Sequence, residues 1–234
     1  KVGIATTRVL KPGETGHLKV IDRLKPDAVL VRNLGALQFF LERGGHVLYG
    51  DFSLNVSNSL TAHWLVSKGL LRLCPSYDLN RDQLLELINA SEGVPFEVTI
   101  HQYMPTFHME HCVFAAFLSE GSSFKDCGRP CEQSRVELRD RNGVLHPLKP
   151  DAECRNTMFQ GKPQSAARLL PELISSGVSN FRLEALFESP SELRQKIWAY
   201  NELLAGKASS KGIFEKLGIV ERYGVTEGQL YNIR

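Results

Sequence analysis

The sequence predicts an α/β protein with a parallel sheet, of the (β/α)8 TIM-type barrel class. Two observations predict it: short apolar runs alternate with helical patterns from the first residues onward, and the connections between them are short. About six strand–helix units are present, whereas a closed barrel has eight. Because the chain opens directly on a strand and without Met, we expect an N-terminally truncated barrel. An open doubly wound sheet is the alternative.

Each predicted strand is a short apolar run bounded by polar or turn residues. The first lies at the start of the chain, and the fifth has the most regular pattern. The predicted strands are Val2–Thr7, Asp27–Val31, His46–Tyr49, Leu71–Cys74, Phe96–His101 and Asn180–Leu183.

The predicted helices fill the intervals between these strands. Gly44 and Gly69 follow two of them, and glycine is favoured just beyond a helix C-terminus. Asn80 is an expected N-cap because its side chain can accept a hydrogen bond from the first turn. The predicted helices are Thr15–Leu24, Leu34–Arg43, Ser57–Lys68, Asn80–Ile88, Ser165–Ser175 and Ser191–Leu204.

The pattern breaks at Tyr103, after which no sustained period is found as far as about Lys162. This segment is rich in Cys, Gly, Pro, Arg and Asp. We therefore expect barrel units over 1–102, a Cys-rich metal-binding insertion over 103–162, a remaining barrel unit over 163–205, and a tail over 206–234 that extends across the surface.

The composition excludes some classes of protein. The net charge is only +2, which neither favours nor opposes a nucleic-acid partner. The odd number of cysteines, five, argues against a secreted disulfide scaffold and favours an intracellular, reducing compartment, in the cytoplasm or an organelle. The longest apolar runs are far shorter than the ~20 residues of a membrane span, so we expect no membrane association.

Four cysteines form the strongest motif, with the spacing C-x14-C-x3-C-x22-C. Four thiolates around a metal would stabilise an otherwise irregular segment, and their chemistry suits zinc or an iron–sulfur cluster. The scattered spacing fits a cluster better, because zinc sites use two close pairs. Unlinked buried thiols are the other alternative, and we expect Cys74 to be a core residue. The candidate metal ligands are Cys112, Cys127, Cys131 and Cys154.

His108-Met-Glu-His111 precedes the first of these cysteines. Its order does not match the H-E-x-x-H motif of zinc proteases. We expect this segment to support the cysteine site or to contact substrate.

Polar residues follow the predicted strands at the side where a parallel barrel carries its chemistry. We expect Asp51, His101 and Glu184 to act as catalytic or substrate-positioning residues. The full set of strand-end residues is Arg8, Arg32, Asp51, Ser76, His101 and Glu184.

The insertion also contains many arginines. We expect four of them to bind an anionic substrate, such as RNA phosphate or a carboxylate metabolite. The alternative is a solvated surface paired with nearby Glu and Asp. The four are Arg129, Arg135, Arg139 and Arg155.

Phe96–His101 followed by Met109–Cys112 resembles the signature strand of the collagenase-like peptidase family, a peptidase family U of unknown mechanism. The resemblance extends over roughly residues 1–205 and is closest to the branch that hydroxylates cytidine in ribosomal RNA. The other matching segments are Asp51–Asn55, Leu73–Leu79, Asp126–Cys131, Glu153–Thr157 and Phe181–Glu184.

The resemblance implies a barrel, although the family's peptidase name comes with no established catalytic set. Its better-understood members hydroxylate RNA bases or quinone precursors and hold a [4Fe–4S] cluster on four cysteines. Carried over to this sequence, the resemblance implies that the cluster ligands are the four cysteines named above. Many relatives have another cysteine soon after the first, whereas Val113–Leu118 contains none.

The resemblance therefore favours an iron–sulfur-dependent enzyme of RNA base hydroxylation, with an RNA substrate and an electron donor as partners. Two alternatives stay open: a peptidase, and a non-catalytic scaffold in which zinc holds the insertion.

Overall fold

The computed structural model describes residues 1–121 and 124–216, the last three without their side chains. These residues form two compact units. The strand–helix unit comprises Lys1–Gln102 and the described residues from Gln164 onward. The cysteine unit comprises Tyr103–Pro163, apart from the two residues that are not described.

The strands are short, as expected for elements that are covered on their faces. They are β1 (Gly3–Ala5), β2 (Ala28–Val31), β3 (Leu48–Gly50), β4 (Arg72–Leu73), β5 (Glu97–Gln102), β6 (Pro105–Met109), β7 (Val136–Arg139), β8 (Leu145–Pro150), β9 (Asn156–Phe159), β10 (Gln164–Ser165) and β11 (Asn180–Leu183).

The helices mostly follow the strands in sequence. They are α1 (Gly16–Leu24), α2 (Leu34–Arg43), α3 (Ser59–Ser67), α4 (Arg81–Asn89), α5 (Val113–Leu118), α6 (Leu170–Ser175), α7 (Pro190–Leu204) and α8 (Ser210–Lys216), with short 3-10 helices at Phe52–Leu54 and Pro130–Glu132.

The strand–helix unit contains a parallel sheet in the order β1–β2–β3–β4. A single parallel bridge joins Leu73 to Phe96, just before β5. In a second sheet β5 pairs in parallel with β11 and antiparallel with β10. Neighbouring parallel strands are thus joined by helical crossovers, and the predicted mixed α/β architecture with parallel sheets is confirmed.

Strands β2 and β3 bury apolar side chains beside those of the helices. Val29 and Val31 of β2 are fully buried, and Leu48 of β3 is nearly so. Helix side chains such as Leu18 of α1 and Phe40 of α2 belong to the same hydrophobic cluster. Burial of this apolar surface is the main favourable term in folding.

Side-chain caps fix where several helices begin. Asn80 accepts a hydrogen bond from the backbone N–H of Gln83, and the Gln83 side chain accepts one in return. The predicted N-cap is therefore confirmed, as one half of a capping box. Ser189 and Glu192 form the same motif at the start of α7.

The cysteine unit contains an antiparallel sheet in the order β6–β9–β8–β7. The sequence had indicated no regular structure over this segment, and that expectation was wrong. Alternation is weak here because few side chains are buried: the small core consists of Phe114, Leu148 and Met158. In β7 three of the four residues are exposed, so no apolar period marks the strand.

The tail was predicted to extend over the surface from Gly206, but it contains α8 instead. Ile213 anchors this helix, with a fully buried side chain. Two adjacent apolar residues, Ile213 and Phe214, in a Lys-rich stretch give too little periodicity to predict a helix. The rest of the predicted tail lies outside the described residues. Within the described part of the chain, no helix has the length and apolar character to cross a membrane.

Candidate functional site

The four candidate ligand cysteines line one cavity of the cysteine unit. The cavity has a volume of about 290 Å³, several times the roughly 30 Å³ that a water molecule occupies in the liquid. All four side chains are partly exposed, and none forms a disulfide. Phe114, Phe124 and Pro130 are among the apolar residues of its wall.

Asn156 connects two of the segments that carry these cysteines. Its Oδ1 accepts a hydrogen bond from the backbone N–H of Val113, 2.9 Å away, and its Nδ2 donates to the carbonyl oxygen of Cys154 at 3.2 Å. Cys112 is the N-cap residue of α5, directly before Val113. Asn156 is fully buried, so it holds Cys112 and Cys154 in a fixed relation.

Cys154 lies in the tight turn between β8 and β9. It adopts a left-handed conformation with φ 62°, which is uncommon for a residue other than glycine. Asp151 stabilises the turn, because its Oδ1 accepts hydrogen bonds from the backbone N–H groups of Glu153 and Arg155, each at 2.9 Å. The strained backbone thus places the Cys154 thiol in the cavity wall.

A second tight turn brings Cys127 and Cys131 to the same cavity. Gly128 and Arg129 are both left-handed, with φ 67° and 51°. Gly121 passes close to this loop, since a Cβ atom there would lie 2.5 Å from the carbonyl oxygen of Asp126 and 2.7 Å from the Cα of Cys127. Only glycine fits at this position without moving the loop.

The thiols are close enough to influence one another. Burial raises the pKa of Cys154, and the neighbouring thiols of Cys112, Cys127 and Cys131 raise it further. Gathered thiolates repel, so the arrangement is electrostatically suited to bind a cation. As the side chains stand, the described residues contain no group of three or more His, Cys, Asp or Glu that could hold a metal ion.

The His108–His111 segment contacts the turn that carries Cys154. His108 Nδ1 lies 2.9 Å from Thr157 Oγ1, and its Nε2 lies 3.8 Å from Asp151. Glu110 accepts a hydrogen bond from Arg155 Nε at 2.9 Å. These contacts join β6 to the cysteine-bearing turn.

The four arginines predicted to bind substrate are in different environments. Arg129 lines the cysteine cavity and forms an ion pair with Glu132 at 3.3 Å. Arg135 and Arg139 are exposed. Arg155 is buried, with a side chain 2% exposed, beside Cys154. Substrate binding by these residues stays a prediction.

In the strand–helix unit, Asp51 is the centre of an ion-pair network. It follows β3 directly and is 1% exposed. Arg32 Nε donates to Asp51 Oδ2 and Arg182 Nη1 donates to Asp51 Oδ1, both at 2.7 Å. Arg182 Nε also donates to Glu97 Oε1 at 2.6 Å, and Arg72 Nη1 donates to Glu97 Oε2 at 2.7 Å.

Glu184 lies at the same edge, directly after β11. Arg182 is 3.6 Å from its Oε1, which also accepts a hydrogen bond from the Tyr77 hydroxyl at 2.8 Å. Desolvation raises the pKa of Glu184, against the opposing effect of Arg182. Asp51 and Glu184 are thus brought together through Arg182, as the convergence of strand ends predicted.

His101 has other partners, although its carbonyl oxygen accepts from the Glu184 N–H at 2.8 Å. Its Nδ1 lies 3.1 Å from the Tyr200 hydroxyl, which is 2.6 Å from Ser165 Oγ. Its buried Nε2 has no hydrogen-bond partner in the part of the chain described. Burial lowers the pKa of His101 to about 3, helped by the charge of Lys196, so the ring is neutral at physiological pH.

Ser76 and Cys74 follow β4. Ser76 Oγ contacts the Asp78 carboxylate at 3.4 Å. Cys74 is buried as predicted, with its Sγ 3.7 Å from Thr99 Oγ1, and burial raises its pKa to about 12. A thiol with this pKa is protonated and inert at neutral pH.

Sequence reasoning assigned no role to three residues of these sites: Arg182, Tyr77 and Asn156. All three lie within segments that carried the family resemblance. Polar residues inside otherwise apolar strands were the available signal, because a buried charge or amide needs a partner.

Taken together, these features define an α/β protein with a polar network at the ends of its parallel strands and, in its cysteine unit, four free cysteines that line one cavity. The chain belongs to peptidase family U32, whose model matches residues 13–220. The predicted family is thereby confirmed.

Two curated relatives are tRNA hydroxylation protein P from two strains of Helicobacter pylori. Each is 23% identical over 180 residues, which cover 74% of this chain and 42% of the relative. The chain therefore spans less than half the length of these relatives. No solved structure matches it.

Proposed function

We propose that the chain is part of an iron–sulfur enzyme that hydroxylates a base in RNA. Membership of family U32 and the similarity to proteins named for tRNA hydroxylation support the reaction. The observation that supports the proposed cofactor is that four cysteine thiols line one cavity. The sequence resemblance had favoured ribosomal RNA, whereas these two relatives are named for tRNA, so we propose RNA as the substrate class.

The proposed cofactor is a [4Fe–4S] cluster held by Cys112, Cys127, Cys131 and Cys154. The donor set fits, because iron–sulfur clusters are bound by Cys thiolates and these four line a common cavity. When bound, such a cluster supplies one-electron chemistry, and a separate electron donor would serve it. Zinc on the same thiolates is the alternative cofactor.

The protein's own residues would bind and orient the RNA. Arg129 at the cavity wall and the exposed Arg135 and Arg139 are proposed to contact phosphates, since arginine pairs with phosphate in a bidentate manner. Arg155 is proposed to contact the substrate beside the turn that carries Cys154. Glu110 orients the Arg155 side chain by accepting a hydrogen bond from its Nε.

Among the predicted catalytic residues, Asp51 and Glu184 are proposed to have different roles. Both carboxylate oxygens of Asp51 accept from arginines, so Asp51 positions guanidinium groups. Desolvation raises the pKa of Glu184, which makes it the better candidate for a general acid or base. His101 is neutral and buried, which suits a positioning role through Tyr200.

We further propose that the parallel strands β1 to β5 and β11 are part of a (β/α)8 barrel. Their sequential order and the Leu73–Phe96 bridge support this arrangement. The thiol centre and an RNA substrate are both compatible with a reducing compartment inside the cell.

The cofactor proposal is tested by metal and sulfide analysis of protein prepared without oxygen. We expect iron and acid-labile sulfide with a brown absorbance, lost in Cys127→Ser and kept in Cys74→Ser. The second variant is the matched control because Cys74 lies in the strand–helix unit. Zinc at one equivalent with no redox signal would establish the zinc scaffold instead.

The substrate proposal is tested by mass spectrometry of nucleosides from RNA of cells with and without the gene. We expect a nucleoside heavier by one oxygen atom that disappears on deletion and returns with the wild-type gene but not with Cys127→Ser. An unchanged nucleoside profile contradicts the proposal. Peptide hydrolysis that is abolished by alkylation of Cys112 would favour the peptidase alternative.

A further inference from the structure

Arg8 and Arg32 are adjacent cations at the carboxyl ends of β1 and β2. The Cζ atoms of Arg8 and Arg32 lie 5.0 and 6.0 Å from the centroid of the same ring, that of Phe52. Phe52 is itself stacked on Tyr77, with centroids 3.9 Å apart and planes 9° from parallel. The two guanidinium groups therefore share one rigid aromatic support.

The oxygens of Asp51 and Glu97 are directed to arginines other than Arg8. Asp51 uses one oxygen for Arg32 and the other for Arg182. Glu97 uses its two oxygens for Arg182 and Arg72. Within the described ranges, no acceptor takes a hydrogen bond from the Arg8 guanidinium, and Arg32 engages only its Nε.

The network carries an excess of positive charge as a result. Its ionisable groups are four guanidinium groups against three carboxyl groups: Arg8, Arg32, Arg72 and Arg182, and Asp51, Glu97 and Glu184. Partial burial lowers the pKa of Arg8, and the charge of Arg32 lowers it further. The two cations repel each other, and although the charge of Asp51 offsets part of this repulsion, an added anion would stabilise the pair.

The backbone under the two arginines is fixed. The Arg32 N–H donates to Thr6 Oγ1 at 3.0 Å, and Asn33 Nδ2 donates to the Thr7 carbonyl oxygen at 2.9 Å. The ends of β1 and β2 are thereby held side by side. Guanidinium groups mounted on rigid elements lose little freedom when they bind, which favours affinity.

We propose that Arg8 and Arg32 form a binding site for one oxyanion, a carboxylate or phosphate group of the substrate or co-substrate. Asp51 holds Arg32 through its Nε, so the Nη groups of Arg32 are available to the anion. The guanidinium group of Arg8 supplies a second set of N–H donors. Both guanidinium groups also lie against the Phe52 ring. This inference deepens the proposed function, since it names a substrate group that the strand ends recognise.

The site is tested by isothermal titration of the whole protein, at fixed ionic strength, with inorganic phosphate, malonate and a short single-stranded RNA as separate probes. We expect saturable binding to the wild type. The affinity should be about tenfold or more weaker in Arg8→Gln and in Arg32→Gln, because each variant loses the charge-assisted hydrogen bonds of one guanidinium group. Arg23→Gln is the matched control, because it removes the same charge from an exposed residue of α1. Its binding should equal that of the wild type.

The three probes identify the source of the oxyanion. Malonate binding that depends on Arg8, with RNA binding unaffected, assigns the site to a free acid. RNA binding that falls in both variants and competes with phosphate assigns it to the RNA backbone. The proposal is overturned if no probe saturates the wild type, or if both variants bind every probe as the wild type does.

Folding of the variants is checked by thermal unfolding, and Arg8→Gln should unfold like the wild type because Arg8 has no ion pair among the described residues. The result is separable from the proposed function, because titration requires neither iron nor RNA hydroxylation. If a protein that contains no iron still binds the anion in a way that depends on Arg8, the cluster proposal is rejected and the anion-site proposal is retained.

Discussion

The side chain of Asn156 donates a hydrogen bond to the carbonyl oxygen of Cys154 at 3.2 Å. The same amide accepts one from Val113, directly after Cys112. One buried side chain therefore links two cysteines that are far apart in the sequence. The geometry of the thiol cavity depends on this amide as well as on the thiols.

Asn156→Ala should weaken the cysteine site and destabilise the cysteine unit. The substitution removes the acceptor of the Val113 N–H in a part-buried hydrogen bond, and a hydrogen bond of this kind contributes about 0.5–1.5 kcal/mol. We expect a lower metal content and a lower unfolding temperature. Asn156→Asp keeps the acceptor oxygen, so its metal content and unfolding temperature should fall less. Asn142→Ala, on an exposed turn, should behave like the wild type. Equal metal content in Asn156→Ala and wild type would contradict this role.

Gly121→Ala should disrupt the loop that carries Cys127. The added Cβ would lie 2.5 Å from the Asp126 carbonyl oxygen, and that backbone atom cannot yield without moving the loop. We expect the variant to lose metal binding, measured by metal analysis, while the strand–helix unit keeps its far-ultraviolet circular dichroism. Gly16→Ala is the control, since nothing lies within 4 Å of its added Cβ. It should bind metal normally.

The sequence was sufficient to predict strands β1 to β5 and β11 of the strand–helix unit, but it placed Ser165 in a helix where the structure has β10. Buried strands such as β2 are uniformly apolar, and caps such as Asn80 have a local chemical signature. It was insufficient for the antiparallel sheet of the cysteine unit, because strands like β7 bury almost nothing and so carry no period. The helix α8 was missed because its short sequence contains too few apolar residues to show a helical period.

The candidate site was predictable in its residue types but not in its pairings. The cysteines and strand-end carboxylates are visible as rare or polar residues in apolar surroundings. The bond between Arg182 and Asp51, however, joins residues 131 positions apart, and no local pattern specifies it. Nor could spacing reveal that Asp51 has both oxygens engaged, which makes it a positioning residue.

Acidic pH should destabilise the strand–helix unit through His101. Burial lowers the pKa of His101 to about 3, below the unfolded value of roughly 6.5. Between these two values the unfolded chain binds a proton that the folded chain does not, so stability falls as pH decreases. The slope is up to about 1.4 kcal/mol for each pH unit.

This slope is measured by urea unfolding at a series of pH values. His101→Gln should give a shallower dependence than the wild type, because the titrating group is gone. His63→Gln, at an exposed position of α3, should keep the wild-type slope. Lys196, paired with Glu188, faces the same ring, so Lys196→Met should also reduce the slope. If the free energy of unfolding of His101→Gln and of the wild type falls in parallel with decreasing pH, His101 is not the group responsible for the slope.

Asp51→Asn should destabilise the strand–helix unit more than the loss of any surface carboxylate. Asp51 is 1% exposed and joins Arg32 to Arg182, so its neutralisation leaves two guanidinium groups facing each other without a shared anion. Breaking a buried ion pair from one side costs about 3–5 kcal/mol. Because Arg32 is partly exposed, we expect a value near the lower end, measured by urea unfolding. Glu86→Gln is the control: Glu86 is an exposed carboxylate of α4, and its loss should have a much smaller effect. If the two variants lose the same stability, the network around Asp51 is not the structural centre of the strand ends, and the orientation of Arg32 must come from its contact with Phe52 instead.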